Sequence, residues 1–209
     1  MIQGSDEWFS ARLGRVTASK ISDVLATAKN GEAASRMAYK TQLAAERLSG
    51  IRGESFSNPA MQWGTDTEPR ARVMYEARSG VIVTEVGMVI HPAIEQAGAS
   101  PDGLVGDDGL VEIKCPGSSA THIDTLYRDK APARYLNQMQ WQMACTGRSW
   151  CDFVSYDPRL GEGMDYYCDR VYRDDARIAE MEDGVIQFLT EVDAMVQDLT
   201  KLKLERNAK

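Results

Sequence analysis

The sequence predicts one domain of the α/β (α+β) class, built around a central mixed β-sheet that helices flank. Its 209 residues are 43% hydrophobic, which is enough to bury a single core. No repeat, low-complexity tract or linker divides the chain, and helical spacing at both ends encloses a middle region of short β-branched runs. We therefore predict a single domain over residues 1–209, with a core at about 8–172 and a C-terminal helix at about 174–206.

The first half of the chain predicts four helices, at residues 5–13, 17–28, 33–48 and 62–78. Thr17-Ala18-Ser19 supplies residues that commonly cap the start of a helix. Gly50 and Gly80 end the third and fourth helices, since glycine readily takes the left-handed backbone conformation found there. Pro69 predicts either a kink in the fourth helix or a late start.

The second half predicts strands at residues 81–90, 150–156 and 164–172, a hairpin around residues 103–114, and helices at about 132–144 and 174–206. Apolar residues recur along the last helix at the spacing of one helical face, which indicates a helix that closes over the core.

The hairpin places chemistry-bearing residues close together. Gly106-Asp107-Asp108-Gly109 is a turn signal between two short apolar runs. Because side chains alternate along a strand, Glu112 and Lys114 share one face, and Asp102 stands where the partner strand begins. Two convergent carboxylates suit a hard cation such as Mg²⁺, and a lysine beside them can hold or deprotonate a water. These residues therefore predict metal-assisted phosphodiester hydrolysis.

A solvated, amphipathic strand after an acidic turn is an equally ordinary interpretation of the hairpin. Further residues favour the metal interpretation. Glu68 lies on a helix whose aromatic residues indicate packing against the sheet, so that it can reach a metal held there. Gln138 and Gln142 stand one helical turn apart and can orient a water, although a polar helix face explains them as well.

A third group of residues is suited to phosphate. Arg12 offers a guanidinium fork, and Thr17-Ala18-Ser19 offers hydroxyls and free amides at a predicted helix start. An ordinary helix cap explains Ser19, and a surface salt bridge explains Arg12, when each is taken alone.

Composition limits the function classes. The net charge of −7 counts against broad electrostatic adhesion to nucleic acid, so any contact with DNA is expected to be local. The cysteines, at positions 115, 145, 151 and 168, lack the spacing of a zinc site and are expected to be reduced thiols. With only two histidines, a mechanism built on several histidines is excluded, and His91 before Pro92 is expected at the surface. No segment is long and apolar enough to cross a bilayer, which predicts a soluble, cytoplasmic protein.

Taken together, these residues resemble the lambda-exonuclease (YqaJ-type viral recombinase) family of the PD-(D/E)xK nuclease superfamily. The resemblance runs in the same order from about Trp8 to Tyr172. The matching residues are Trp8, Arg12-Leu13-Gly14, Thr17-Ala18-Ser19, Trp63-Gly64, Glu68, Ser100-Pro101-Asp102-Gly103-Leu104, Glu112-Ile113-Lys114-Cys115-Pro116, Gln138-Met139-Gln140 and Tyr156-Asp157-Pro158-Arg159. The loop at residues 117–131 matches weakly, and no role is carried over to it.

The resemblance implies a restriction-endonuclease-like core and a Mg²⁺-dependent 5′→3′ exonuclease. Such an enzyme degrades one strand of linear double-stranded DNA from 5′-phosphorylated ends and leaves 3′ single-stranded tails. It also implies two metal ions, with Mn²⁺ able to substitute, a homotrimeric ring, and a single-strand annealing protein as partner in phage recombination. The protein would then belong to a phage or prophage in a bacterial host.

Roles follow residue by residue from the resemblance. Asp102, Glu112, the backbone carbonyl of Ile113 and Glu68 would bind metal, with Lys114 and Gln138 serving the attacking water. Arg12, Ser19 and Thr17 would hold the 5′ phosphate. Two alternatives stay open: a structure- or site-specific endonuclease of the same superfamily, and a non-catalytic subunit that binds DNA ends. The residues that line a DNA channel also stay open, with candidates at Arg36, Lys40, Arg47, Arg52, Arg128, Lys130 and Arg134.

Overall fold

The computed structural model describes residues 2–53 and 58–208. Its helices are α1 (Asp6–Arg12), α2 (Ile21–Val24), α3 (Ala34–Ser49), α4 (Pro59–Ser79), α5 (Ser119–Arg128), α6 (Ala133–Thr146) and α7 (Asp175–Asn207). Its strands are β1 (Val16–Thr17), β2 (Val83–Thr84), β3 (Val89–Ile90), β4 (Ala97–Ala99), β5 (Gly103–Val105), β6 (Gly109–Lys114), β7 (Trp150–Tyr156) and β8 (Tyr166–Tyr172). Mixed sheets flanked by helices confirm the predicted fold class.

The larger sheet has five strands in the order β2-β5-β6-β7-β8. Its centre is the predicted hairpin, in which β5 and β6 are antiparallel and Gly103 lies opposite Val111. β6 then pairs in parallel with β7, because the chain crosses over through α5 and α6. The hairpin prediction is confirmed, and β6 becomes a central strand of the sheet.

Helices cover both faces of β6. On one face, Ala71 and Tyr75 of α4 pack in one cluster with Val111 and Ile113. On the other face, residues of α6 pack in a second cluster with Leu110. A strand covered on both sides leaves no solvated face for its charged residues, and this burial decides the environment of Glu112.

A second, three-stranded sheet in the order β1-β4-β3 lies outside the predictions. Its middle strand, Ala97-Gly98-Ala99, has none of the β-branched residues that mark strands in a sequence. A Cβ at Gly98 would lie 2.6 Å from the carbonyl oxygen of Val89, so only glycine allows the strands to approach this closely.

The single strand predicted at residues 81–90 is wrong. Its two ends form separate strands, since β2 pairs with β5 in the larger sheet while β3 pairs with β4 in the smaller one. The segment between them carries the chain from one sheet to the other, and local β propensity cannot reveal that change of partner.

The helix predicted from Thr17 is also wrong at its start and in its length. Thr17 belongs to β1, lies opposite Gly98, and donates its backbone N–H to the Tyr39 hydroxyl over 3.2 Å. A 3₁₀ turn at Ala18–Lys20 and the four-residue α2 follow it. Pairing with β4 therefore overrides the local helix-start signal.

Three other expectations need correction. α4 begins at Pro59, where Asn58 caps it by accepting from the backbone N–H of Met61 over 2.9 Å, and it continues through Pro69, so the late start is wrong. α5 occupies a stretch for which no element was predicted. His91 is buried, not at the surface, because its ring stacks on Trp141 with centroids 5.0 Å apart and its Nε2 lies 3.1 Å from Glu182.

The four cysteines are free thiols, as predicted. Across residues 2–53 and 58–208, every helix is too short or too polar to span a membrane.

Candidate active site

Glu112 lies at the centre of the candidate site, with its side chain 1% exposed. Gln138 Nε2 donates to its Oε1 over 2.6 Å, and Gln142 Nε2 donates to its Oε2 over 2.5 Å. The Lys114 ammonium also contacts Oε1. The solvated-strand interpretation is therefore wrong, and so is the polar-face interpretation of the two glutamines, because both amides are directed at a buried carboxylate.

Asp102 immediately precedes β5, and its Oδ2 accepts a hydrogen bond of 2.6 Å from the backbone N–H of Ile113. Burial, and then the charge of Glu112, raise the pKa of Asp102 well above its usual value. Burial lowers the pKa of Lys114, but the carboxylates of Glu112 and Asp102 outweigh it and raise that pKa. The structure thus brings together the two carboxylates and the lysine that the hairpin predicts.

Glu68 reaches the same place from α4. It lines a cavity of about 430 Å³ together with Ile113 and Lys114, at the carboxyl end of β6. Burial raises the pKa of Glu68. Arg72, which donates to its Oε1 over 2.7 Å, lowers that pKa by less, so the pKa stays above its usual value. α4 lies close to the loop after β6 because that loop contains Gly117, where a Cβ would lie 2.7 Å from the Cβ of Ala60.

The donor chemistry around this cavity fits a hard divalent cation. Glu68 and Ile113 line the cavity, Asp102 accepts from the backbone N–H of Ile113, and Glu112 contacts Lys114, so that three carboxylates and a carbonyl offer oxygen donors. In the described part of the chain, no group of three or more His, Cys, Asp or Glu side chains is arranged to hold a metal. Both oxygens of Glu112 are engaged by amide and ammonium donors. The buried negative charge that raises the pKa of Asp102 is the feature that a cation would relieve.

Arg12, Thr17 and Ser19 line a second cavity, of about 320 Å³. The Arg12 guanidinium lies 4.2 Å from the ring centre of Trp8, and burial lowers its pKa. The hydroxyls of Thr17 and Ser19 are 3.4 Å apart. The structure brings these three predicted residues together, but a 3₁₀ turn replaces the expected helix N-terminus.

The two cavities adjoin. Met61, in the first turn of α4, lines both of them. Ser100 provides a second connection, because its Oγ accepts hydrogen bonds from Trp8 Nε1 over 2.9 Å and from Arg12 over 3.4 Å, two residues before Asp102. A group held beside Arg12 therefore lies next to the first cavity.

Ion pairs engage four of the basic residues that were candidates for a DNA channel. Arg36 and Lys40 both pair with Glu32 and Glu191, Arg47 pairs with Asp193, and Arg128 pairs with Asp124. Arg52 lines the second cavity with its guanidinium over the ring of Phe9, Lys130 is exposed, and Arg134 lines the first cavity.

Two residues at the site, Arg72 and Ser155, lie outside the predictions. Arg72 stands four residues after Glu68, a spacing at which helical side chains commonly pair, and this signal was available. Ser155 lines the first cavity and lies 2.7 Å from the buried ring of His122, which also contacts the carbonyl of Met164 over 3.0 Å. Nothing local predicts this pair, because it joins α5 to β7.

Replacing Gln142 with leucine is expected to lower the free energy of unfolding by about 2 kcal/mol, since the substitution leaves a buried carboxylate short of a donor. Thermal unfolding should show a fall in melting temperature of about 4–8 °C for a chain of this size. The matched change at Gln197, which is exposed on α7, is expected to leave the melting temperature unchanged. Equal melting temperatures for the two variants would contradict the role given to Gln142.

The chain is similar to a known family and to solved structures. Residues 7–149 match the YqaJ-like viral recombinase domain. The crystal structure of an alkaline exonuclease (LHK-Exo) from Laribacter hongkongensis is 52% identical, with a TM-score of 0.89 over 96% of this chain and 99% of that one. LHK-Exo in complex with dAMP gives a TM-score of 0.90 at the same identity and coverage.

A phage-related exonuclease from Haemophilus somnus 129PT shares the fold, with a TM-score of 0.72 at 15% identity over 88% of this chain and 96% of that one. Comparison with curated protein sequences found no match. The predicted resemblance is confirmed. The chain therefore belongs to the YqaJ-like viral recombinase family.

Proposed function

We propose that the protein is a Mg²⁺-dependent 5′→3′ exonuclease that degrades one strand of linear double-stranded DNA from a 5′-phosphorylated end. The observation that carries this proposal is the junction of the two cavities at Met61. A terminal phosphate bound at Arg12, Thr17 and Ser19 would place a nearby phosphodiester bond beside Asp102 and Glu112. Polarity then follows from geometry, since the strand would run from its 5′ phosphate at Arg12 towards Asp102 and Glu112.

The relatives support the proposal in one further respect. LHK-Exo has been crystallised with dAMP, and a deoxynucleoside monophosphate is what the removal of one nucleotide from a 5′-phosphorylated end would release.

The chain supplies each role that hydrolysis needs. Asp102, Glu112, Glu68 and the Ile113 carbonyl would hold two Mg²⁺ ions, for which Mn²⁺ could substitute. Such ions lower the pKa of a bound water and offset the charge that develops on the phosphate. Lys114, between Glu112 and the open cavity, would position or deprotonate the water, and Gln138, which donates to the same oxygen of Glu112, would help to orient it. Arg12 would fix the strand by a charge-assisted contact with its terminal phosphate.

The partners and setting form part of the same proposal. A homotrimeric ring would keep DNA enclosed, which suits a protein of net charge −7 that cannot rely on broad electrostatic adhesion. The 3′ single-stranded tail would pass to a single-strand annealing protein, and the setting would be the cytoplasm of a bacterium that carries the phage or prophage.

Incubation of linear and covalently closed circular duplex DNA with the protein tests the proposal directly. With Mg²⁺, the linear duplex is expected to disappear with release of mononucleotides, whereas the closed circle stays intact because it has no end. Addition of EDTA should stop the digestion. Cleavage of the closed circle would favour the endonuclease alternative, and intact linear DNA despite binding would favour the non-catalytic end-binding subunit.

A further inference from the structure

The first cavity contains a cation to which the proposed function gives no role. Arg134, in the first turn of α6, is exposed and lines this cavity. Throughout the described ranges, its guanidinium has no carboxylate within ion-pair distance, and the nearby Asp124 is paired with Arg128 over 2.8 Å. An arginine at the opening of a catalytic cavity, with its charge uncompensated, is suited to receive an anion.

Arg134 lies next to the proposed catalytic lysine. The ring of Tyr135 stands between them, with the Arg134 guanidinium 4.8 Å and the Lys114 ammonium 5.2 Å from its centre. Both cations therefore line the same cavity, next to one aromatic ring. Neighbouring phosphates of a DNA strand could contact both at once.

The position of Arg134 indicates which part of a bound strand it would contact. α4 packs on one face of the larger sheet and α6 on the other, and they form facing walls of the cavity beyond the end of β6. The Arg12 cavity joins on the α4 side, at Met61. A strand that enters from Arg12 and passes Asp102 and Glu112 therefore leaves along the α6 wall, past Arg134.

We infer that Arg134 binds the backbone phosphate that follows the scissile phosphate on its 3′ side, on the strand being cut. This subsite rests on the proposed function, because it takes its direction from a 5′ phosphate bound at Arg12. It would hold the remaining strand in place when the terminal nucleotide is released.

The test combines a variant with a modified substrate. Duplexes with a 5′ phosphate carry a neutral methylphosphonate either at the second linkage or at a linkage ten nucleotides further in. Cleavage of the first linkage is followed in single-turnover reactions. Binding of the same duplexes is followed in EDTA by fluorescence anisotropy at several salt concentrations. The proteins are the parent, Arg134→Gln, and the matched control Arg128→Gln, whose guanidinium is occupied by Asp124.

For the parent, a methylphosphonate at the second linkage is expected to weaken binding and slow cleavage about tenfold, the size of one charge-assisted contact. Arg134→Gln should show the same tenfold loss on ordinary DNA and no further loss on the modified duplex. Its logarithmic salt dependence of binding should fall by about 1. The Arg128→Gln variant and the distant methylphosphonate should behave as the parent protein and ordinary DNA do.

A tenfold effect of the second-linkage methylphosphonate that persists in Arg134→Gln would overturn the subsite, as would an unchanged salt dependence. Failure of the proposed function is recognised separately. A separate outcome is that the parent fails to digest linear DNA while the second-linkage methylphosphonate weakens DNA binding by the parent and not by Arg134→Gln. In that case the phosphate subsite stands and the exonuclease proposal falls.

Discussion

Replacing Lys114 with alanine is expected to lower the rate of DNA cleavage about a thousandfold and to leave DNA binding intact. Among residues 2–53 and 58–208, the lysine is the one cation that forms an ion pair with Glu112, and its side chain is 29% exposed, so it faces both the buried carboxylate and the open cavity. A group placed in this way can move a proton or fix the attacking water, and such groups contribute roughly 10² to 10⁴ in rate. Single-turnover cleavage of a 5′-phosphorylated duplex in Mg²⁺ measures the effect.

Two further variants make the Lys114 result decisive. Lys114→Met keeps the aliphatic stem that packs in the cavity, so a loss of rate in both variants separates lost chemistry from lost packing. Lys203→Ala removes an exposed lysine on α7 and is expected to retain the parent rate. Cleavage by Lys114→Ala within tenfold of the parent, with unchanged melting temperature, would exclude the lysine from the reaction.

Arg12→Ala is expected to erase the preference for 5′-phosphorylated over 5′-hydroxyl ends. In the parent that preference should be about tenfold to a hundredfold, because a hydrogen-bonded contact between an arginine and a phosphate contributes about 1.5–3 kcal/mol. Partial burial beside Trp8 strengthens such a contact by excluding water. The measurement is the ratio of initial rates on two duplexes that differ only in the terminal phosphate.

The ratio is the informative quantity, because Arg12 also donates to Ser100, two residues before Asp102, so its loss can slow cleavage of both substrates. Arg70→Ala, at an exposed position on α4, should keep the parent ratio. Equal rates of the parent protein on the two duplexes would contradict the assignment of the phosphate cavity.

Local signals predicted the parts of the site that lie close together in the chain. Alternation along β6 and a turn at Gly106 are enough to bring Asp102, Glu112 and Lys114 to one place, since a hairpin fixes its own register. The same signals could not predict that Glu112 is buried. Burial results from α6, whose Gln138 and Gln142 reach the carboxylate across 26 and 30 positions of sequence.

The failed predictions have a common cause. Thr17 has the composition of a helix cap, yet it pairs with Gly98 in a strand. His91 precedes a proline in what looks like a surface turn, yet Trp141 and Glu182 enclose it. In each case a contact with a residue far away in sequence determines the local structure. The free energy of burial and strand pairing exceeds the small conformational preference that a local pattern expresses.

The sequence by itself determined the fold class, the family and the identity of the residues that carry chemistry, because these follow from periodicity, turn chemistry and short ordered motifs. The tertiary structure decided how those residues are used. It buried Glu112 under two amides and placed Met61 in the wall of both cavities. Within the part of the chain that the structure describes, it also left the Arg134 guanidinium with no carboxylate at ion-pair distance. Such relations depend on which helices cover which faces of the sheet, and packing between distant segments settles that choice.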